Sequence, residues 1–198
     1  MLRVLRVLPT GILLLIAALV LLLAPVAQSE EPPEDFEADR EAGYLGISGV
    51  YARQDMSDSN SIGLRVGDSG GLSARMGFRM MRYAAVEIEG EWLHNLGSGI
   101  ENPWNITANL KAIYPLGPQD RIQPYLVGGA GVMSARLKRA DRASYVATDG
   151  VYKIGGGIDF FLTRHWVAGT AAVWTNGMSK RPGLTHISIQ AGVSYVFR

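Results

Sequence analysis

The C-terminal segment of the chain, residues 184–197, constrains the fold most narrowly. Alternate residues there form two different faces. The apolar face holds Ile187, Ile189, Ala191, Val193, Tyr195 and Phe197, and the small polar face holds Ser188, Gln190, Gly192 and Ser194. Alternation with a period of two indicates a β-strand with one apolar and one polar side. A strand of this length exceeds most strands of soluble proteins and would cross a bilayer when tilted.

Seven further segments are predicted as strands, and the connections between them alternate in length. The predicted strands are residues 43–52, 72–80, 85–93, 104–114, 122–133, 151–162 and 166–174. Long polar connections follow the odd-numbered strands, at residues 53–70, 94–103, 134–149 and 175–183, whereas the even-numbered strands are followed by short turns. Residues 166–174 are apolar on both faces, so the sequence leaves their orientation open. We therefore predict an all-β, eight-stranded, antiparallel up-and-down barrel.

Aromatic residues gather near both ends of the predicted strands. Those at the long-connection end are Tyr51, Trp92, Trp104 and Trp174; those at the short-turn end are Tyr44, Tyr83, Tyr114, Tyr125, Phe160, Trp166, Tyr195 and Phe197. Two aromatic belts at opposite strand ends are typical of barrels that span a membrane, where the rings lie at the two interfaces. The pattern therefore favours a transmembrane barrel with both termini at the short-turn end.

Opposite charges occur at matching positions of the second and third predicted strands. A three-residue turn at residues 82–84 would place Arg79 across from Glu87 and Arg75 across from Glu91. In a membrane barrel the apolar face contacts lipid, so we expect the charged face to line the interior as a charge network. Its predicted members are Arg75, Arg79, Glu87, Glu89, Glu91, Lys111, Lys153 and Asp159. An eight-stranded barrel is only wide enough for its own side chains, which argues against general diffusion and leaves a narrow ion path as an alternative.

The N-terminal region has the parts of a signal peptide, which we place at residues 1–29. Arg3 and Arg6 precede an apolar stretch at residues 11–23, and small residues follow at Ala27 and Ser29. A retained transmembrane anchor is the alternative. Residues 30–42 are acidic and contain Pro32 and Pro33, so we expect a flexible periplasmic leader before a barrel domain at residues 43–198.

Charge and cysteine content exclude several classes of function. Removing residues 1–29 takes two of the 19 basic residues and none of the 18 acidic ones, which leaves a nearly neutral chain. A nearly neutral chain has little electrostatic attraction for nucleic acid, so no nucleic-acid partner is expected. The chain has no cysteine, which excludes disulfides and lipoprotein acylation.

Three segments resemble the small eight-stranded outer-membrane barrels, a group that includes the OmpA transmembrane domain, OmpX and the opacity-protein or porin-like barrels. These segments are residues 124–132, Gly155 to Phe161, and the aromatic close Tyr195-Val196-Phe197. The resemblance covers residues 43–198. It implies a monomeric, non-enzymatic structural or surface protein of the bacterial outer membrane, in contact with outer-membrane lipid and without a cofactor. It also implies that Tyr195 and Phe197 form a closing-strand signal for the barrel-assembly machinery.

Basic residues in the third and fourth long connections form a predicted surface patch. The patch comprises Arg136, Lys138, Arg139, Arg142, Lys180 and Arg181. On the outer side these residues would meet lipopolysaccharide phosphates, which arginine binds in a bidentate manner. Ordinary solvated charge is the alternative explanation, and contact with host surfaces is the other use that the resembling family makes of such loops.

Two other functions fit parts of the sequence. His186 and Ser188 have the spacing of the His-x-Ser pair found in outer-membrane barrels that modify lipid A. Such a hydrolase would need an acidic partner, and Glu87 or Asp159 could be recruited through space. An exported, soluble, lipocalin-like carrier would instead turn the apolar faces inward. The three histidines are separated in the sequence, so no metal site is predicted.

Overall fold

The computed structural model describes residues 41–54, 67–96, 100–116, 120–139, 142–178 and 185–197. The predicted signal peptide and residues 30–40 of the predicted leader lie outside this part of the chain, as do Lys180, Arg181 and Arg198. No helix in the described ranges is long and apolar enough to cross a membrane.

Eight antiparallel strands form a closed barrel in which each strand pairs with its neighbour in sequence and the last pairs with the first. The strands are β1 (Ala42–Gln54), β2 (Asp68–Met81), β3 (Ala84–Leu93), β4 (Ile100–Ile113), β5 (Ile122–Arg139), β6 (Arg142–Phe161), β7 (Trp166–Gly177) and β8 (His186–Phe197). Closure leaves the sheet without open edges along the paired length. The predicted fold is confirmed.

The two ends of the barrel differ. One end, called the short-turn end below, carries the start of β1, the end of β8 and the connections after β2, β4 and β6. The opposite end, called the loop end, carries the connections after β1, β3, β5 and β7. Both termini of the barrel therefore lie at the short-turn end, as the connection lengths predict.

Apolar side chains face outward and charged side chains face inward. Leu72, Met76, Ile88 and Leu110 are between 54% and 64% exposed. The charged residues that alternate with them on β2, β3 and β4 are buried. A lipocalin-like carrier requires the opposite arrangement, so that alternative is wrong.

The orientation of β7, which the sequence leaves open, is clear in the structure. Val167, Ala171 and Val173 are buried inside the barrel, whereas Trp166 is 48% exposed on the outside. Alternate residues of β7, beginning with Val167, therefore face the lumen.

The predicted register between the second and third strands is wrong by two residues. Arg75 lies across from Glu89, and Glu87 lies across from Gly77. The connection is a two-residue turn at Arg82 and Tyr83, and the register shifts between Arg79 and Met81. This irregularity replaces the predicted three-residue turn. A shift of two residues preserves the face of every side chain, so the charged residues still face inward.

The third long connection is much shorter than predicted. Residues 134–139 and 142–149, which we assigned to a loop, continue β5 and β6 as a hairpin. β6 pairs with β7 only from Val151 onward, so the hairpin rises above its neighbour. The connection after β3 is also shorter than predicted, because β4 begins at Ile100. Strands that extend above an apolar belt carry charged residues, and for this reason they resembled loops in the sequence.

Two residues assigned to the aromatic belt at the short-turn end lie inside the barrel instead. Tyr125 is buried, and Tyr44 is half-buried with its hydroxyl donating to Glu87. Tyr83, Tyr114 and Trp166 are exposed on the outside at this end. Aromatic side chains therefore do surround the outside of this end, but Tyr44 on β1 and Tyr125 on β5 are not among them because their side chains point inward.

Candidate functional site

The lumen of the barrel holds all eight predicted members of the charge network. Each of them is between 3% and 9% exposed. Four are cations and four are carboxylates, so the lumen is neutral when His186 is uncharged. Isolated buried charges are very unfavourable, whereas paired and hydrogen-bonded ones are tolerated.

Toward the loop end, polar side chains surround two glutamates. Lys153 Nζ contacts Glu89 Oε2 in an ion pair. Gln190 Nε2 donates to Glu89 Oε1 at 2.8 Å and to Glu91 Oε2 at 3.1 Å. Asn105 Nδ2 donates to Glu91 Oε1 at 3.1 Å. Gln190 thus links β8 to β3 and contacts both carboxylates, and Asn105 of the neighbouring strand β4 adds a second donor to Glu91.

Toward the short-turn end, the network centres on Lys111. Its Nζ lies 2.6 Å from Asp159 Oδ2 and 3.5 Å from Glu87 Oε1. The Tyr44 hydroxyl donates to the same glutamate oxygen at 2.5 Å. The Lys111 Nζ also lies 3.7 Å from the centroid of the Tyr125 ring, a cation–π contact. One ammonium group thus contacts two carboxylates and an aromatic face.

The two arginines make contacts that differ from the predicted pairs. Arg75 Nη2 donates to the Ser194 hydroxyl at 3.1 Å. Arg79 donates from Nη1 to Gln123 Oε1 at 3.1 Å and from Nη2 to the Arg82 carbonyl at 2.7 Å. Arg79 therefore lies at the short-turn end of the lumen, beside the turn that follows β2.

Two glycines make room for the inward tyrosines. A Cβ atom at Gly77 would lie 2.5 Å from the Tyr44 hydroxyl oxygen, and one at Gly157 would lie 2.6 Å from that of Tyr125. Neither position tolerates a side chain while the ring stays in place. The sequence analysis did not place either tyrosine inside the barrel. Tyr44 lies two residues before the inward Gly46, so the alternation of faces along β1 would have been enough to place it inside.

His186 and Ser188 face the lumen, and both are 0% exposed. His186 Nε2 lies 3.2 Å from Glu91 Oε1, so its acidic neighbour is neither Glu87 nor Asp159. Among the described residues, no hydrogen-bond partner is found for Ser188 Oγ or His186 Nδ1. The two side chains are therefore not hydrogen-bonded to each other, as a base activating a hydroxyl would need.

An apolar cluster fills the lumen at the loop end. We call it the loop-end cluster. Its members are Val50, Ala52, Leu93, Leu96, Ile100, Met133, Ala135 and Val151, each at most 5% exposed. The cluster comes from five different strands and from Leu96 just beyond β3, so it brings apolar side chains together inside the lumen at this end.

The predicted basic patch is only partly within the described side chains. Arg136 is exposed on β5, across from Val146 on β6. The backbone of Lys138, Arg139 and Arg142 lies at the tip of the β5–β6 hairpin, where the last two pair across the strands. Lys180 and Arg181 lie outside the described residues. The structure thus brings four basic residues onto one projecting hairpin.

The closing strand is held by aromatic contacts at the short-turn end. The Tyr195 ring centroid lies 5.1 Å from that of Phe197 and 5.2 Å from that of Trp166. Tyr195 pairs with Leu45 of β1, which places it where the last strand meets the first.

Over the described residues, no group of three acidic or histidine side chains could hold a metal ion.

Comparisons with known proteins agree with this architecture. Residues 14–197 match the family described as "Outer membrane protein beta-barrel domain". No curated protein matches the sequence significantly.

Three solved structures have a similar fold. Neisserial surface protein A (NspA) superposes with a TM-score of 0.63 at 12% identity, over 80% of this chain and 100% of that chain. The N-terminal β-barrel domain of OprF from Pseudomonas aeruginosa gives a TM-score of 0.57 at 13% identity, over 80% and 100% of the two chains. Ail of Yersinia pestis, in complex with the heparin analogue sucrose octasulfate, gives a TM-score of 0.50 at 14% identity, over 79% and 97%. At these identities the likeness concerns the fold.

Proposed function

Because the chain belongs to the outer membrane protein β-barrel domain family, and is thus a surface or structural protein of the bacterial outer membrane, we propose that its sealed, non-enzymatic barrel holds a basic hairpin against lipopolysaccharide. The loop end then faces the cell exterior, since outer-membrane barrels have short periplasmic turns and longer outer loops. The short-turn end faces the periplasm.

The observation that carries this proposal is the projecting β5–β6 hairpin. Tyr152 and Trp174 contact each other on neighbouring strands and mark the outer aromatic belt. β6 begins at Arg142, next to the tip of the hairpin, but pairs with β7 only from Val151 onward. Residues 142–150 of β6 therefore extend beyond β7. At the usual rise per residue this is about 30 Å along the strand. A hairpin of this length reaches well past the membrane interface.

Charge gives the hairpin a partner of definite chemistry. Arg136, Lys138, Arg139 and Arg142 lie at and below its tip, and lipopolysaccharide is rich in phosphate at the outer surface. Arginine and phosphate form bidentate, charge-assisted hydrogen bonds. Ail, a barrel of similar fold, has been solved with a highly sulfated sugar, and a polyanion of this kind is what a basic hairpin would attract.

Removing the hairpin charges is expected to weaken binding to lipopolysaccharide by about tenfold or more, because several charge-assisted contacts are lost. The triple variant is Arg136→Gln, Lys138→Gln and Arg139→Gln. Titration of the folded protein in nonionic micelles with fluorescent lipopolysaccharide measures the affinity, and phosphatase-treated lipopolysaccharide should give a comparable loss.

The matched control changes three arginines near the opposite end. It combines Arg82→Gln, Arg121→Gln and Arg164→Gln, and it removes the same amount of charge from residues at the short turns. We expect its affinity to stay within about twofold of the natural protein. Equal losses in both triple variants would mean that the hairpin carries only ordinary solvated charge.

The lumen supports a sealed barrel. Its eight charged side chains neutralise one another, and the loop-end cluster places apolar side chains inside the lumen at the outer end. A narrow ion path would have to cross both layers. We infer that the barrel does not conduct ions, that it acts as a monomer, and that Tyr195 and Phe197 serve as the signal for the barrel-assembly machinery during insertion.

The buried His186 and Ser188 support the proposal that the protein is not a lipid A hydrolase. Both side chains are 0% exposed inside the barrel, and Ser188 lies across from Ala52 of the loop-end cluster, so a lipid substrate outside the barrel cannot reach them. Expression of the natural protein in an outer-membrane host should leave the acyl chains of lipid A unchanged by mass spectrometry, as should the Ser188→Ala variant. Loss of an acyl chain with the natural protein, abolished by Ser188→Ala, would contradict this prediction.

A further inference from the structure

Three outward aromatic rings contact one another at the short-turn end of β7 and β8. The Tyr195 ring meets Trp166 at 5.2 Å and Phe197 at 5.1 Å between centroids, and both pairs are edge-to-face. Trp166 and Phe197 are 48% and 49% exposed, whereas Tyr195 is half-buried. We call these three rings the aromatic platform. Two of them belong to the proposed assembly signal, and the third comes from the neighbouring strand.

The turn between β6 and β7 holds the platform through His165. Its ring stacks on Tyr195, with centroids 5.4 Å apart and planes inclined by 14°. Its Nδ1 atom lies 2.9 Å from the Val196 carbonyl oxygen, which only accepts hydrogen bonds, so Nδ1 carries the proton and donates. The Val196 N–H in turn donates to the His165 carbonyl at 2.8 Å. The side chain and the main chain of one residue thus hold the end of β8.

His165 completes the strand pairing where the backbone of β7 does not. In a regular antiparallel pair, the His165 N–H would donate to the Val196 carbonyl. Here it donates to the Thr163 hydroxyl at 3.2 Å, and the Trp166 N–H donates to the same hydroxyl at 3.0 Å. The imidazole takes the place of the missing backbone donor. The ladder of β7 and β8 is therefore extended by one residue pair beyond Trp166 and Tyr195.

The contacts that build the platform are local in sequence. β7 and β8 are consecutive strands joined by residues 178–185, whereas closure of the barrel pairs β8 with the first strand. Pairing neighbours in sequence costs less loop-closure entropy than pairing strands separated by the whole barrel. The hairpin of β7 and β8, with its aromatic platform, can therefore form while the edge of β8 that later meets β1 is still unpaired.

From these observations we infer that the barrel-assembly machinery recognises the end of the β7–β8 hairpin, not β8 alone. Trp166 extends the apolar surface of Tyr195 and Phe197, and His165 is a positioning residue that fixes Tyr195 and Val196. The matching surface of the partner is apolar and lies beside a strand edge that pairs with β8. The inference rests on the proposed role of Tyr195 and Phe197 as the assembly signal, to which it adds two residues from outside β8.

Two routes of insertion separate recognition from folding. The urea-unfolded chain, residues 30–198, is diluted into vesicles that contain the purified assembly machinery, or into protein-free vesicles of short-chain lipids. Folded barrels of this kind resist SDS before heating, so gel mobility gives the rate of insertion on each route. A residue that the machinery recognises affects the assisted rate only. A residue that matters to the barrel itself affects both rates.

Trp166→Leu is expected to slow assisted insertion about threefold or more, because one of the three platform rings is lost. Its unassisted rate should stay within about twofold of the natural protein. Tyr114→Leu is the matched control, since Tyr114 is 67% exposed at the same end of the barrel but follows β4, which two strands separate from β7. Both of its rates should stay within about twofold of the natural protein.

Substitutions of His165 test its positioning role. His165→Ala should slow assisted insertion about threefold or more, because the donor to the Val196 carbonyl and the stacked ring are lost. His165→Asn should recover at least half of the lost rate, since its amide nitrogen also donates to a carbonyl. Arg164→Ala changes an exposed residue of the same turn and should leave both rates within about twofold.

Several results would overturn the inference. Equal slowing of both routes by Trp166→Leu would make Trp166 an ordinary member of the interfacial aromatic belt. An unchanged assisted rate would remove it from the recognised surface, and equal rates for His165→Ala and His165→Asn would remove the role of the Val196 contact. Phe197→Leu separates this failure from failure of the signal itself. If Phe197→Leu leaves the assisted rate unchanged, the proposed signal is wrong; if it slows that rate and Trp166→Leu does not, only the extension to the hairpin fails.

Discussion

Replacement of Lys111 with methionine is expected to lower the free energy of unfolding by about 3–5 kcal/mol, as is typical when one partner of a buried ion pair is removed. Lys111 is 3% exposed, and its Nζ contacts the carboxylates of Asp159 and Glu87. Methionine fills a similar space, so the loss reports the charge rather than a cavity. Urea unfolding in lipid vesicles, followed by tryptophan fluorescence, measures the change.

Neutralising the two carboxylates that Lys111→Met leaves without their cation should recover most of the lost free energy of unfolding. In the triple variant Lys111→Met, Glu87→Gln and Asp159→Asn, the two amides need no cation, and we expect at least half of the lost free energy to return. Arg164→Met serves as the control for a cation in an exposed turn and should change stability by less than about 0.5 kcal/mol. A loss below 1 kcal/mol for Lys111→Met, or no recovery in the triple variant, would contradict a self-neutralising lumen.

Replacement of Ile88 with arginine is expected to cost about 2–4 kcal/mol, the range found for arginine on the lipid face near the middle of a bilayer. Ile88 is 54% exposed on the outside of β3, midway between Trp92 near the loop end and Tyr83 at the short-turn end. Its exposure is therefore to the hydrocarbon region of the membrane. The same vesicle unfolding experiment gives the change in the free energy of unfolding.

A matched substitution above the membrane separates lipid contact from general damage. Val146 is 64% exposed, on the part of β6 that precedes its pairing with β7. Val146→Arg places the same charge in water and should change stability by less than about 0.5 kcal/mol. Similar costs at the two positions would mean that Ile88 does not face lipid.

The barrel could be predicted from the sequence because its alternation is local. Residues 72–80, 85–93 and 104–114 each alternate with a period of two, and all three form strands with the expected faces. The register between β2 and β3 could not be predicted, since it depends on a local irregularity after Arg79 that has no signature in the side chains. Likewise, β7 has apolar residues on both faces, and only its neighbours determine which side is inside.

The site could be predicted in its membership but not in its pairings. The alternation of side chains along each strand is enough to place Lys111, Lys153 and Asp159 inside the barrel. Their partners depend on which strands face each other across the closed lumen: Lys111 and Asp159 are 48 residues apart in sequence, and Lys153 and Glu89 are 64 apart. The β5–β6 hairpin was missed for a different reason, because charged residues in a strand outside the membrane have the composition of a loop.

The most direct test of the outward apolar face uses a single nitroxide label at position 88. The chain contains no cysteine, so Ile88→Cys gives one labelling site in the protein reconstituted into lipid vesicles. Power-saturation electron paramagnetic resonance should show high accessibility to oxygen and low accessibility to a water-soluble nickel complex, with the reverse at Val146→Cys. Low accessibility to both reagents at position 88 would place this side chain inside the barrel and contradict the membrane-spanning arrangement described above.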